Sequence, residues 1–99
     1  MVVAGIDFDV AQLDELCRRY GVARLEVFGS MARGDGGAES DLDLLYELAP
    51  GATLGWEIAE LEAGLGELFG RPVDLVSKRS LHRRLRPAVM AEARELYAA

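Results

Sequence analysis

Ninety-nine residues, 51% of them apolar, describe one small domain with a single modest core, too apolar for a disordered chain. Eleven basic residues against seventeen acidic ones give a net charge of −6, which excludes a protein that grips nucleic acid over its whole surface, because such affinity comes from neutralising phosphates. One cysteine excludes an internal disulfide and a cysteine-rich zinc site, and without a leader segment or an apolar run of about 18 residues the expectation is a soluble, cytoplasmic protein with no membrane partner.

Asp9, followed three positions later by Gln12, resembles a capping box. It precedes Val10, Leu13, Leu16, Cys17 and Tyr20 at helical spacing, and Gly21 is placed to end that helix. Cys17 then reads as a core thiol rather than a reactive one. Residues 23–28 alternate, Leu25 and Val27 against Arg24, Glu26 and Phe28, and predict a strand. Residues 29–40 hold Gly29, Gly34, Gly36 and Gly37 and predict a loop with one helical turn near residues 30–33. A second strand covers 41–48 and a turn 49–52. Leu54, Ile58, Leu61, Leu65 and Leu68 then give a helix closed by Gly70. Gly64 and Gly66 weaken that helix by about 1 kcal/mol each relative to Ala, which points to close packing. A third strand covers 72–77. Leu85, Val89, Ala93 and Leu96 form the stripe of a last helix, with Pro87 in its first turn. The order α-β-(loop/α)-β-α-β-α, with no repeat and no linker, predicts a single α/β (α+β) domain over residues 1–99: a small mixed three-stranded sheet flanked by about four helices.

Three features stand apart from the core pattern. Gly29-Ser30 follows a strand directly, and Arg33 lies three residues on. A glycine there lets the backbone approach a ligand closely, and a serine opening a helical turn offers a hydroxyl and free N–H groups to phosphate oxygens. Asp41 and Asp43 project from one face of the second strand, roughly 6.5–7 Å apart, while Leu42 and Leu44 point into the core. Two carboxylates so placed repel each other, and a divalent cation relieves that repulsion. A solvent-facing polar stripe is the alternative reading of the same pattern. Asp74 interrupts an apolar third strand, where Asp is disfavoured. If the third strand lies beside the second, Asp74 joins the other two acids; otherwise it is an acid facing water. Three acids, a phosphate-binding turn and a metal pair are the parts needed for attack of a hydroxyl on the α-phosphate of a nucleotide.

Gly29-Ser30-Met31-Ala32-Arg33-Gly34, then Ser40-Asp41-Leu42-Asp43-Leu44-Leu45 with Asp41 eleven positions after the serine, then Asp74, resembles the DNA polymerase beta-like nucleotidyltransferase superfamily. The closer match is its minimal branch, the MNT domains, over nearly the whole chain. The resemblance implies the polymerase-beta-like fold, nucleotide phosphates on Gly29 and Ser30, and Asp41 and Asp43 bridging two Mg2+ ions. It implies that Asp74 ligates the catalytic ion and takes the acceptor's proton, and that Arg33 touches phosphate or pairs with an acid of the loop. Met31 stands where many relatives carry a polar or basic residue.

Small family members often accompany a helical HEPN protein, and such pairs resemble toxin–antitoxin systems in which the MNT protein is the antitoxin. The resemblance implies transfer of AMP from ATP to a hydroxyl of that partner, within a homo- or hetero-oligomer. An acidic surface suits a partner basic enough to bind RNA. The alternatives are a catalytically silent antitoxin acting by occlusion, and a transferase acting on a small molecule or an RNA end.

Five of the eleven basic residues fall between positions 78 and 86. This cluster reads as a solvated helix face, with a place near the metal site as the rival reading. The lone histidine, His82, makes a poor metal site. Trp56 and Tyr97 read as packing or interface residues, and Phe28 as support for the Gly-Ser turn.

Overall fold

The structure, a computed structural model, describes residues 1–37 and 40–99; positions 38 and 39 of the expected loop lie outside the described residues. Strands β1 (Val2–Val3) and β2 (Ile6–Asp7) form a hairpin that the sequence pattern does not announce. Ala4 and Gly5 turn it with φ of 52° and 77°, the positive pair a two-residue hairpin turn requires, and Val3 and Ile6 are buried.

Helix α1 (Val10–Tyr20) matches expectation at both ends. The Asp9 carboxylate accepts the Gln12 N–H at 3.1 Å, and Gly21 closes the helix in the left-handed region. After β3 (Val22–Phe28) come α2 (Gly29–Arg33), β4 (Leu42–Leu48), α3 (Ile58–Phe69) and β5 (Val73–Ser77). Gly70 caps α3, and an added Cβ at Gly64 would sit 3.2 Å from a Leu16 methyl, so this glycine lets α1 and α3 approach. Helix α3 starts about a turn later than the leucine spacing suggests. Leu54 lies in the preceding loop, where the Gly55 N–H donates to Glu57 Oε2 at 2.8 Å.

The C-terminal end corrects the sequence reading. A short 3-10 turn (Lys78–Ser80) leads to α4 (Arg86–Glu92), with Pro87 in its first turn, and the chain then straightens at Ala93 into β6 (Arg94–Ala98). The expected single helix through Leu96 is thus a helix followed by a strand, and the sheet has four strands rather than three. Antiparallel pairing with β3 wins over local spacing, because it covers an otherwise bare strand edge and buries Leu96 and Tyr97. Strand order is β5-β4-β3-β6, with β4 parallel to β5 and the other pairs antiparallel. The four helices among the described residues complete a mixed α+β fold.

Period-two alternation divides the sheet. One face presents Leu25, Val27, Leu42, Leu44 and Tyr46 to Leu13 and Cys17 of α1 and Leu61 and Leu65 of α3, forming the core. Burial, reinforced by Asp14, pushes the Cys17 thiol up to about 12, as a core thiol requires. The opposite face carries Glu26, Leu45 and Val76 in one row and Phe28, Asp43 and Asp74 in the next. Among the described residues no helix is long and apolar enough to cross a membrane.

Candidate active site

Parallel pairing of β4 with β5 places Leu42 opposite Val73 and Asp43 opposite Asp74. Residues opposite one another share a face, so two acids thirty-one positions apart in sequence stand side by side on strands about 4.8 Å apart. Asp41 lies one residue before β4, exposed, with its charge felt at Asp43. On the other flank, Phe28 lies opposite Asp43, so the turn that follows β3 is delivered to the same acid.

Gly29 begins α2 with φ of 74°, and any Cβ there would collide with the Asp43 carboxylate. Both facts require glycine. Ser30 is half-buried in the first turn of α2, where backbone N–H groups lack an intrahelical acceptor. Met31 is buried and meets Arg71 Nη1 through its sulfur at 3.3 Å.

Electrostatics tie these residues together. Partial burial pushes the Asp43 carboxyl above its usual range, and the charges of Asp74 and Asp41 push it further. Arg33 opposes the shift and Glu92 adds to it. Arg33 pairs with the loop acid Asp35 through Nε at 3.3 Å and with Glu92 through Nη1 at 3.2 and 3.4 Å. Glu92 Oε1 also accepts the Gly29 N–H at 3.0 Å.

Sequence reasoning misses Glu92. The expected helix runs past it to Leu96, so its place at a helix end, where the dipole disfavours negative charge, emerges only in the structure. Glu26 is a second omission: a buried carboxylate one row from Asp43, paired with Arg24 Nε at 3.4 Å.

Among the described residues no three acid, histidine or cysteine side chains already converge as a metal cluster. The donors at the strand starts nonetheless suit a hard divalent cation, being carboxylate oxygens whose mutual repulsion at Asp43 a cation would relieve.

The basic cluster starts at the far end of β5 from Asp74. Lys78 pairs with Glu47 at 3.4 Å, Arg86 donates to the Lys78 carbonyl at 3.1 Å, and residues 79–88 are exposed save Leu81. It is a solvated surface, as expected, built from turns and the start of α4 rather than one helix face. His82 is exposed and accepts the Arg84 N–H at 3.1 Å. Tyr97 is a packing residue, whereas Trp56 is 83% exposed and packs in no core. Phe28 is half-buried beside Asp43.

A small mixed sheet that sets a Gly-Ser turn against an acid-lined strand pair defines a domain of the nucleotidyl-transfer class. Residues 11–97 match the nucleotidyltransferase domain family, and the chain belongs to it as a minimal nucleotidyltransferase. The protein adenylyltransferase MntA of Thermococcus cleftensis is 39% identical over 82 residues, spanning 83% of this chain and 82% of that protein. A solved structure assigned as a minimal nucleotidyltransferase is 48% identical, with a TM-score of 0.71 over 87% of this chain and 86% of the other. A further structure, of a tri-AMPylated Shewanella oneidensis HEPN toxin in complex with MNT antitoxin, aligns with a TM-score of 0.61 at 26% identity, covering 91% of this chain and 70% of that one.

Proposed function

We propose that this chain transfers AMP from ATP to a hydroxyl of a partner protein, and that the partner is a HEPN toxin silenced by the modification. The observation that carries the reading is the side-by-side placement of Asp43 and Asp74 next to the Gly29-Ser30 turn. The names of the Thermococcus relative and of the tri-AMPylated toxin complex support the choice of AMP and of a HEPN acceptor.

In this reading Ser30 binds the triphosphate through its hydroxyl and N–H, with Arg33 beside it. Gly29 allows the turn to lie against Asp43. Asp41, Asp43 and Asp74 would hold two Mg2+ ions. The ions would neutralise the triphosphate and acidify the attacking hydroxyl. Asp74, exposed at its strand start, takes the proton as the hydroxyl oxygen bonds to the α-phosphorus and pyrophosphate departs.

The test is incubation with each labelled nucleoside triphosphate, Mg2+ and a HEPN protein, followed by mass spectrometry of the acceptor. A tyrosine, serine or threonine of the partner should gain AMP. Tight complex formation without any mass gain would instead establish silencing by occlusion. Label appearing on RNA or a small molecule would move the acceptor class.

A further inference from the structure

One residue of the C-terminal element reaches the site. Glu92, last in α4, accepts the Gly29 N–H at 3.0 Å and grips Arg33 Nη1 with both oxygens, at 3.2 and 3.4 Å. These partners lie 63 and 59 positions away in sequence. The placement is unfavourable in one respect, since a helix C-terminus disfavours a negative charge. Its bonds to the turn offset that cost, and they join the two parts of the turn that the nucleotidyl-transfer reading uses.

We infer that Glu92 is a positioning residue for nucleotide binding: from α4 it holds the Gly29 turn and the Arg33 guanidinium together in the arrangement that receives the triphosphate. The inference rests on the nucleotidyltransferase reading above. Two details favour support over mere occupation of the phosphate's place. Glu92 engages the Gly29 N–H, one of the two donors the resemblance offers to phosphate, but makes no hydrogen bond to Ser30, which receives the triphosphate in the reading above. With Asp35 on Nε and Glu92 on Nη1, the guanidinium plane is fixed from two sides, and Nη2 has no acceptor among the described residues. A fixed fork loses less freedom when it meets phosphate than a loose one.

Glu92→Gln separates the two functions of the carboxylate, since an amide oxygen still accepts the Gly29 N–H but carries no charge for Arg33. Binding of a non-hydrolysable ATP analogue with Mg2+ and steady-state AMP transfer should be compared in the unmodified chain, Glu92→Gln, Arg33→Ala and the double variant. Glu92→Gln is expected to weaken analogue binding about tenfold, with the loss falling on KM for ATP rather than on kcat. In the Arg33→Ala background the same change should have almost no further effect, because the two act as a unit. Should Glu92→Gln fail to fold, Glu92→Asp, one methylene shorter, is expected to weaken binding in the same direction. Unchanged or tighter analogue binding in the folded variant overturns the inference, tighter binding marking Glu92 as a competitor of phosphate. If the unmodified chain neither binds ATP nor transfers AMP, the nucleotidyltransferase reading itself falls and takes the inference with it. Normal transfer by both proteins removes the inference alone.

Discussion

Asp43 is partly buried and flanked by two other acids, so its charged form is the disfavoured one. With its folded-state affinity for a proton above the unfolded value, its contribution to stability is complete below the ordinary carboxylate range and is lost as pH rises through the raised value. In chelator at neutral pH, Asp43→Asn should therefore melt a few degrees higher than the unmodified protein and show a flatter acid-side stability profile, while AMP transfer disappears. A lower melting temperature would show that the ionised carboxylate is a net stabiliser here. Gly29 faces the same acid from the other side. Gly29→Ala forces a Cβ into positive φ and into the Asp43 carboxylate, so a loss of about 1–3 kcal/mol in denaturant unfolding is expected, together with loss of transfer. Because the collision is with one side chain, adding Asp43→Ala should restore part of that stability. Strict additivity would mean that backbone conformation alone accounts for the cost.

At the scale of elements, legibility follows from how local each element's cause is. Helix α1 is plain in the sequence because its cap, its apolar stripe and its closing glycine lie within thirteen residues, and each matches an observed contact. Strands β3 and β4 are plain because Leu25, Val27, Leu42, Leu44 and Tyr46 fall at every second position on the core face, although the other face also carries the apolar Phe28 and Leu45. Strand β6 is not, since Leu85, Val89, Ala93 and Leu96 satisfy helical spacing equally well, and only the open edge of β3 decides the matter. The site divides in the same way. Asp41 and Asp43 are readable as a pair from alternation alone. The approach of Asp74 depends on the β4–β5 register, and that of Glu92 on α4 running back towards α2, and neither is written in any local pattern. The edge-strand assignment has its own test. The β6 amides that bond to β3 should be protected from exchange while the alternate, outward-facing ones exchange fast, and Leu96→Ala should cost about 2–5 kcal/mol, as for a buried leucine that leaves a cavity. Rapid exchange across β6 would return the last residues to a frayed helix end.

For the molecule as a whole, charge and binding stand in opposition. A chain of net charge −6 has three acids at the end of the sheet where the proposed function seats a polyanionic nucleotide, while five basic residues cluster in a segment that starts at the other end of β5. Surface charge at that distance is screened within a Debye length of about 8 Å at physiological salt, so the basic segment does little to attract the triphosphate. In the proposed reading the site therefore takes up cation and nucleotide together. Three thermal melts test this coupling. ATP in chelator should leave the melting temperature almost unchanged. Mg2+ alone should raise it slightly, by relieving the repulsion at Asp43. Mg2+ with ATP at about ten times the dissociation constant should add ~1.4 kcal/mol, roughly 6–11 °C for a domain of this size. The combined gain should collapse in Asp43→Asn, whose amide repels neither neighbour and offers the ion no charge. An equal gain from ATP with and without Mg2+ would show that the turn and its arginine bind the triphosphate unaided, and the acids would then need another explanation.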